Sequence, residues 1–262
     1  AVAWVLAQAS GRFDILSVTS VGGNQTLEKT TMNGRRICAL AGIDAPFGRG
    51  AERPLQGGLI TAAEFHGVSG LDGARLPEPH KEADKRGAVK LMADTIRGYS
   101  GGKVTIIATG PLTNVASLLL SEPESRAKID RISIMGGGLY SGNWTPAAEF
   151  NILDDPEAAK IVFESGIPIT MSPLDVTNTA IVLPEDISRI EAVDNEVAHT
   201  VAQWIRFFIR HCMELGYAGA TLHDPCAVLT LICPELFCIE PRRVYVETEG
   251  MYTRGCTIGA RP

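Results

Sequence analysis

Residues 103–110 read "KVTIIATG", a short run of β-branched and apolar side chains that stops at a glycine. An apolar run of this length without polar alternation is typical of a strand buried on both faces, as in a parallel sheet. Three more runs have the same form and also end at Gly or Pro. They are "DILSVTSVGG" (14–23), "RISIMGGG" (131–138) and "IPITMSPLD" (167–175). The repeated pattern predicts a parallel sheet.

Helical patterns lie between these runs. One covers 26–42, "TLEKTTMNGRRICALAG", and stops at a glycine. Another, "DPEAAKIVFESG", has Asp155 as its expected N-cap, Pro156 at N1 and Gly166 at C′. The β-α-β-α order predicts an α/β fold with a mostly parallel central sheet and helices on both faces. We find no internal repeat or low-complexity linker, so 1–262 is expected to be a single domain.

The remaining regions have weaker signals. Residues 67–87 are rich in Gly, Pro and charge, which predicts a long surface loop or lid. From about Asn195 the pattern turns helical through "VAQWIRFFIRHCMEL", and "RRVYVETEG" (242–250) returns to strand.

Charge and cysteine content narrow the classes of function. The formal net charge of −6 and the absence of a basic patch argue against nucleic acid as a partner, and no run of 18 apolar residues suggests a membrane span. The six cysteines form no CxxC pair. Cysteines 226, 233 and 238 cluster near a predicted helix, a pattern more typical of buried thiols in a reducing compartment than of disulfides or a metal site. We therefore expect a cytoplasmic protein.

The segment "SGNWTPAAEFN" (141–151) concentrates polar side chains on an apolar base. Glu149 and Asn151 are two residues apart, so in an extended segment both would leave one face while Phe150 points the other way. With Asn143 they would form a polar fork able to hydrogen-bond the hydroxyl groups of a sugar. The alternative is a polar loop with an Asx-turn after Gly142.

Other polar residues also follow predicted strands. Asn24, Thr109 and the segment 143–151 each come after the carboxyl end of a strand, where open α/β sheets bind ligands. His223 and Asp224 stand ahead of a further predicted helix with Pro225 at N1. For Asp224 a role as N-cap, and for His223 a role as a surface histidine, are the structural alternatives.

A set of motifs, in order, resembles one enzyme family. The motifs are "VTSVGGN", "ATGPLTN", "IMGGG", "GNWTPAAEFNILDDPEAA", "LDVTN" and "HDPCAV". Together they are similar to the inosine-uridine-preferring nucleoside hydrolases, and the resemblance covers nearly the whole chain. It implies an enzyme, a nucleoside N-ribohydrolase, in which water cleaves the N-glycosidic bond through an oxocarbenium-like transition state around a calcium ion.

The resemblance also implies a ribose-binding set. Asn24 would hydrogen-bond ribose hydroxyls, and Met135 would line the sugar pocket. Asn143, Glu149 and Asn151 would hold the 5′-, 3′- and 2′-hydroxyls, and Asn143 belongs to the catalytic groups.

The metal and the base have their own implied residues. The main-chain carbonyl of Thr109 and the carboxylate of Asp224 would be calcium ligands, and Asp224 would also bind a ribose hydroxyl. His223 would assist departure of the base, and His66 would lie near the base on the mobile loop. Calcium prefers several hard oxygen ligands, which suits a carboxylate, a carbonyl and the ribose diol.

The sequence departs from the family pattern at both ends. Members begin with a strand ending in DTDPGxDD, which supplies most calcium-binding carboxylates and the base for water, whereas this sequence begins on the helix that follows. It also stops at "ARP", short of a further strand and helix. Three explanations are open: the missing residues belong to the molecule, the chain is a degenerate fragment, or a partner chain supplies the strand. We prefer the first.

Two functions therefore compete. The leading hypothesis is the nucleoside hydrolase, and the alternative is a non-catalytic ribose or nucleoside binder that keeps the ribose-binding residues without a base to activate water. The motifs around "GGGLYSGNWTPAAEFN" look like those of bacterial enzymes that accept both purine and pyrimidine nucleosides, and the sequence assigns no base preference. The resemblance implies a homodimer or homotetramer.

Overall fold

The computed structural model describes residues 1–214, 216 and 218–261. The strands lie at Val18–Thr19 (β1), Phe47–Gly48 (β2), Val104–Ala108 (β3), Ile129–Met135 (β4), Ile169–Ser172 (β5), Ile181–Val182 (β6), Ala220–Thr221 (β7), Arg243–Val246 (β8) and Thr257–Ala260 (β9). The helices lie at Val2–Ala9 (α1), Leu27–Ala41 (α2), Ala63–His66 (α3), Gly87–Gly98 (α4), Thr113–Ser121 (α5), Phe150–Asp154 (α6), Pro156–Phe163 (α7), Leu174–Thr177 (α8), Ile187–Glu191 (α9), Glu196–Glu214 (α10) and His223–Ile232 (α11). Short 3-10 turns occupy Pro123–Lys128, Pro184–Asp186 and Pro234–Leu236. The predicted α/β class is confirmed.

Parallel pairing joins the strands that were predicted from apolar runs. β3, β4 and β5 form a parallel sheet in that order, with β4 in the middle. β1 pairs in parallel with β2 in a separate sheet, so the parallel strands are divided between two sheets. The run 14–23 forms only a two-residue strand, because its partner β2 is equally short. β6–β7 and β8–β9 are antiparallel pairs.

Helices cover both faces of β4. Ile132 and Ile134 are almost fully buried and pack in a core cluster with side chains of α5 and α7. On the other face the Ser133 hydroxyl donates to the Ala227 carbonyl of α11 at 2.7 Å. Side chains thus alternate between two helical layers, as expected for a strand buried on both sides.

The helix ends test the predicted caps. Asp155 caps α7, because its side chain accepts from the Ala158 N–H at 3.0 Å. The predicted C′ position at Gly166 is wrong, since α7 ends at Phe163 and Ser165 then forms its own turn with the N–H of Ile167. α2 does end at a left-handed glycine, Gly42, as predicted.

Two weaker expectations are also resolved. Residues 67–87 contain neither helix nor strand beyond an isolated bridge between Asp84 and Gly48 and the first residue of α4, which confirms a surface loop. All six cysteines are free, and Cys226 is buried whereas Cys238 is exposed. Among the residues described, no helix is both long and apolar enough to cross a membrane.

A pair of leucines in α5 tests the core. Leu118 is 0% exposed and Leu120 is 58% exposed. We predict that Leu118→Ala lowers the free energy of unfolding by about 2–5 kcal/mol through lost burial and a cavity. Leu120→Ala should change it by less than about 0.5 kcal/mol. Urea unfolding of both variants measures this, and equal effects would contradict the assigned core.

Candidate active site

A cavity of 580 Å³ lies where β3 and β4 end. Every site residue predicted from the sequence lines it: Asn24, His66, Thr109, Met135, Asn143, Glu149, Asn151, His223 and Asp224. Thr109 directly follows β3 and Met135 is the last residue of β4. The carboxyl ends of parallel strands therefore bring these residues together, as such sheets do at their ligand sites.

Glu149 is held by a dense set of backbone donors. Its carboxylate accepts from the N–H groups of Asn151 at 2.9 Å and Ile152 at 3.1 Å, and thereby caps α6. It also accepts from the Gly137 N–H at 2.9 Å. The expected extended segment is wrong here, because Asn151 already lies in the first turn of α6. An i, i+2 spacing suits a helix start as well as a strand, and the cap favours the helix.

The approach of Gly137 to Glu149 needs glycine. Its φ is +79°, and a Cβ atom at this position would clash with Met171 Cε. A side chain is strained in this left-handed region. The "GGG" after β4 thus allows the chain to turn toward α6.

The two asparagines are anchored through one end of each amide. Asn143 Oδ1 accepts from the Phe150 N–H at 3.0 Å, and Asn151 Nδ2 donates to the Met135 carbonyl at 3.1 Å. Within the part of the chain that the structure describes, Asn143 Nδ2 and Asn151 Oδ1 have no hydrogen-bond partner. The site therefore offers a fixed donor and a fixed acceptor beside the Glu149 carboxylate.

His223 and Asp224 begin α11 on the opposite wall. The expected N-cap role of Asp224 is wrong, because Leu222 occupies that position and Asp224 lies within the first turn. His223 Nδ1 bonds the Thr177 hydroxyl and Nε2 bonds the Thr221 hydroxyl, each at 2.8 Å. Burial lowers the pKa of His223 to about 4 and raises the pKa of Asp224. His223 is therefore a neutral, oriented ring at pH 7 rather than a surface histidine.

Aromatic and histidine rings form another part of the cavity lining, here called its aromatic end. Phe65 meets the His211 ring edge-on at 5.5 Å between centroids and lies 6.3 Å from Trp144. His66 stacks with Phe208 at 6.4 Å. Sequence reasoning marked His66 but missed Phe65 and Trp144. The only sequence feature that could have indicated a site role is position: Phe65 precedes His66, and Trp144 follows Asn143.

The oxygen donors for a metal are incomplete. Thr109 and Asp224 both line the cavity. However, the described residues contain no group of three or more His, Cys, Asp or Glu side chains placed to hold a metal ion. Calcium takes about 6–8 oxygen ligands, so this pair does not by itself fit the ion.

The fold and the cavity together define an α/β protein with a cavity at the carboxyl ends of its parallel strands, lined by amide and carboxylate side chains and by aromatic rings. The family model described as inosine-uridine preferring nucleoside hydrolase matches residues 1–262. The chain belongs to the inosine-uridine preferring nucleoside hydrolase family. This family membership makes it a ribonucleoside hydrolase.

Known relatives agree in sequence and in structure. The chain is 51% identical to the pyrimidine-specific ribonucleoside hydrolase RihA of Escherichia coli O7:K1 over 98% of this chain and 84% of that protein. RihA of Escherichia fergusonii gives the same values. The purine-preferring ribonucleoside hydrolase from Gardnerella vaginalis superposes with a TM-score of 0.90 at 30% identity, covering 98% of this chain and 83% of that one.

Glu149 can be tested as a structural cap. Glu149→Ala should lower the free energy of unfolding by at least about 2 kcal/mol, because three buried N–H groups lose their acceptor. Glu164→Ala, at an exposed position after α7, should have little effect. Urea titration of both variants checks this, and an unchanged Glu149→Ala midpoint would refute the cap.

His66 gives a pH test. Burial lowers the pKa of His66 to about 4 from an ordinary 6.5, and the nearby Ala1 amino group, His223 and His211 act in the same direction. Between these values the unfolded chain binds the extra proton, so the contribution of His66 to stability falls as pH drops from 6.5 toward 4, by at most about 1.4 kcal/mol per pH unit. His66→Gln should flatten this fall, whereas His80→Gln on the exposed loop should not. If the free energy of unfolding depends on pH in the same way in wild type and in His66→Gln, the burial of a neutral His66 ring is contradicted.

Proposed function

We propose that the chain hydrolyses pyrimidine ribonucleosides in preference to purine ones, with the ribose at the polar end of the cavity and the base at the aromatic end. The observation that carries this assignment is that all nine residues implied for ribose, base and metal line one cavity. The pyrimidine preference is supported by the 51% identity to RihA, a pyrimidine-specific enzyme.

The free atoms of the polar end suit a furanose. Asn143 Nδ2 can donate to one hydroxyl, while Asn151 Oδ1 and the Glu149 carboxylate can accept from others. Asn24 and Asp224 complete the ring of polar groups around the sugar. Vicinal hydroxyls both donate and accept, so a carboxylate flanked by amides binds them well.

The reaction needs stabilisation of positive charge on the ribose. Water adds its oxygen at C1′ and gives up a proton, the C1′–N bond breaks with its electron pair leaving on the base, and the base takes up a proton, so that the products are ribose and free base. Burial raises the pKa of Glu149 to about 7, and the nearby charge of Asp224 acts in the same direction. Carboxylates in such surroundings stabilise a cationic ring strongly once it forms.

His223 is assigned to the leaving base. Its two ring nitrogens are held by Thr177 and Thr221, so the base would replace one of these hydroxyls as partner. Calcium is proposed as the metal, with the Thr109 carbonyl and Asp224 as two of its ligands and the ribose diol as a further source of oxygen.

Assembly and compartment are part of the proposal. We infer a homodimer or homotetramer, and a cytoplasmic site of action that suits six free cysteines.

The central test is turnover. Purified protein with calcium should release uracil from uridine with kcat/KM at least about tenfold above that for inosine, a ratio worth ~1.4 kcal/mol. Asp224→Asn should lower kcat/KM by at least about a hundredfold, since a buried polar contact to the transition state is lost.

A matched control and the contrary outcome complete the design. Asp14→Asn, at an exposed position, should leave kcat/KM unchanged. Ribose or nucleoside binding without any turnover would instead identify a non-catalytic binder.

A further inference from the structure

The aromatic end of the cavity is reached through an irregular segment. Residues 50–62, here called the approach loop, contain no helix or strand and lead directly into α3. Ala62, Phe65 and His66, at or just beyond its end, all line the cavity. The position of these side chains therefore depends on what holds the loop.

Two adjacent buried carboxylates, Asp154 and Asp155, accept hydrogen bonds from backbone N–H groups of the approach loop. Asp154 Oδ1 accepts from the Ile60 N–H, and Asp155 Oδ2 accepts from the Leu55 N–H, each at 2.9 Å. Asp154 is 4% exposed and Asp155 is 0% exposed. At the loop's end the Ala62 N–H donates to the Asn24 carbonyl at 3.1 Å.

The two carboxylates differ in their hydrogen-bond partners. Asp155 also caps α7 and accepts from the Thr113 hydroxyl at 2.6 Å, so it supports the core as well as the loop. For Asp154, the Ile60 N–H is the one hydrogen-bond donor among the described residues. A buried carboxylate with a single partner is costly for folding, and an apolar residue would serve packing better. The hydrogen bond to the approach loop is thus the feature that accounts for a carboxylate at position 154.

Asp154 also connects the loop to the sugar end. It is the last residue of α6, the helix that begins at the Glu149 cap and carries Asn151. Burial, with the adjacent charge of Asp155, raises the pKa of Asp154 to about 6, so the group is ionised at pH 8. A charged acceptor holds an N–H more strongly than a neutral one.

We propose that Asp154 is a positioning residue for the base end: it fixes the approach loop against α6 so that Phe65 and His66 face the cavity. The proposal rests on the proposed nucleoside hydrolysis for its kinetic consequence, while the tether itself is independent of it. Loss of the tether reduces the fraction of molecules that are ready to bind, which raises KM and leaves the chemical step alone.

The experiment compares Asp154→Ala, Asp154→Asn and Asp186→Ala with wild type at pH 8. Asparagine keeps an oxygen that can accept from Ile60, whereas alanine does not. Asp186→Ala removes a similar backbone acceptor, for Leu183 at 3.0 Å, at a position that does not line the cavity. Hydrogen exchange of peptides covering 55–66 and steady-state kinetics with uridine are the two readouts.

We expect Asp154→Ala to speed exchange across 55–66 and to raise KM about five- to tenfold, because a hydrogen bond to a charged group contributes about a factor of ten. The kcat should stay within about twofold. Asp154→Asn should restore most of the protection and KM, and Asp186→Ala should match wild type.

Each contrary result overturns the proposal. Unchanged exchange in Asp154→Ala would show that the loop needs no tether, whatever the activity. Faster exchange with unchanged KM, or an Asn variant no better than Ala, would also refute positioning through this contact. If wild type itself turns over no nucleoside, the proposed function fails while the exchange readout still decides the tether.

Discussion

Three backbone N–H groups converge on the Glu149 carboxylate, and the rest of the site depends on that convergence. One comes from Gly137, two residues beyond β4, and the others come from Asn151 and Ile152 at the start of α6. Because β4 is paired on both edges and buried on both faces, its end is a rigid reference point. The carboxylate fixes the start of α6 to that point, and with it the amides of Asn143 and Asn151, which are proposed to bind the sugar.

The two ends of the cavity differ in support. The polar end stands on the three-stranded sheet and α6, whereas the aromatic end is built from α3, α10 and the loops beside them. Loop segments with few backbone bonds open more easily than sheet and buried helix. Ribose recognition is therefore expected to be the rigid part of the site, and base recognition the adjustable part.

The sequence predicted the elements that local chemistry determines. The apolar run 103–110 became β3, and the Asp155 cap and Pro156 began α7 as the residue types dictate. The polar residues after strand ends met in one cavity because parallel strands carry their carboxyl ends to one edge.

What the sequence could not predict depended on contacts between distant residues. The i, i+2 spacing of Glu149 and Asn151 fits a strand and a helix start equally, and the structure has the helix start, in which Glu149 caps α6 and also accepts from the distant Gly137 N–H. The bond between Asp154 and Ile60 joins residues 94 positions apart. No local pattern distinguishes such a carboxylate from a solvated one.

Burial of the carboxylates has a consequence for catalysis. Burial raises the pKa of Glu149, so the charge on this carboxylate is disfavoured in the unliganded fold. A neutral nucleoside relieves little of that cost, whereas a ribose ring carrying positive charge relieves much of it. Under the proposed function, this interaction would be stronger in the transition state than in the ground state, which is the condition for rate acceleration rather than tighter substrate binding.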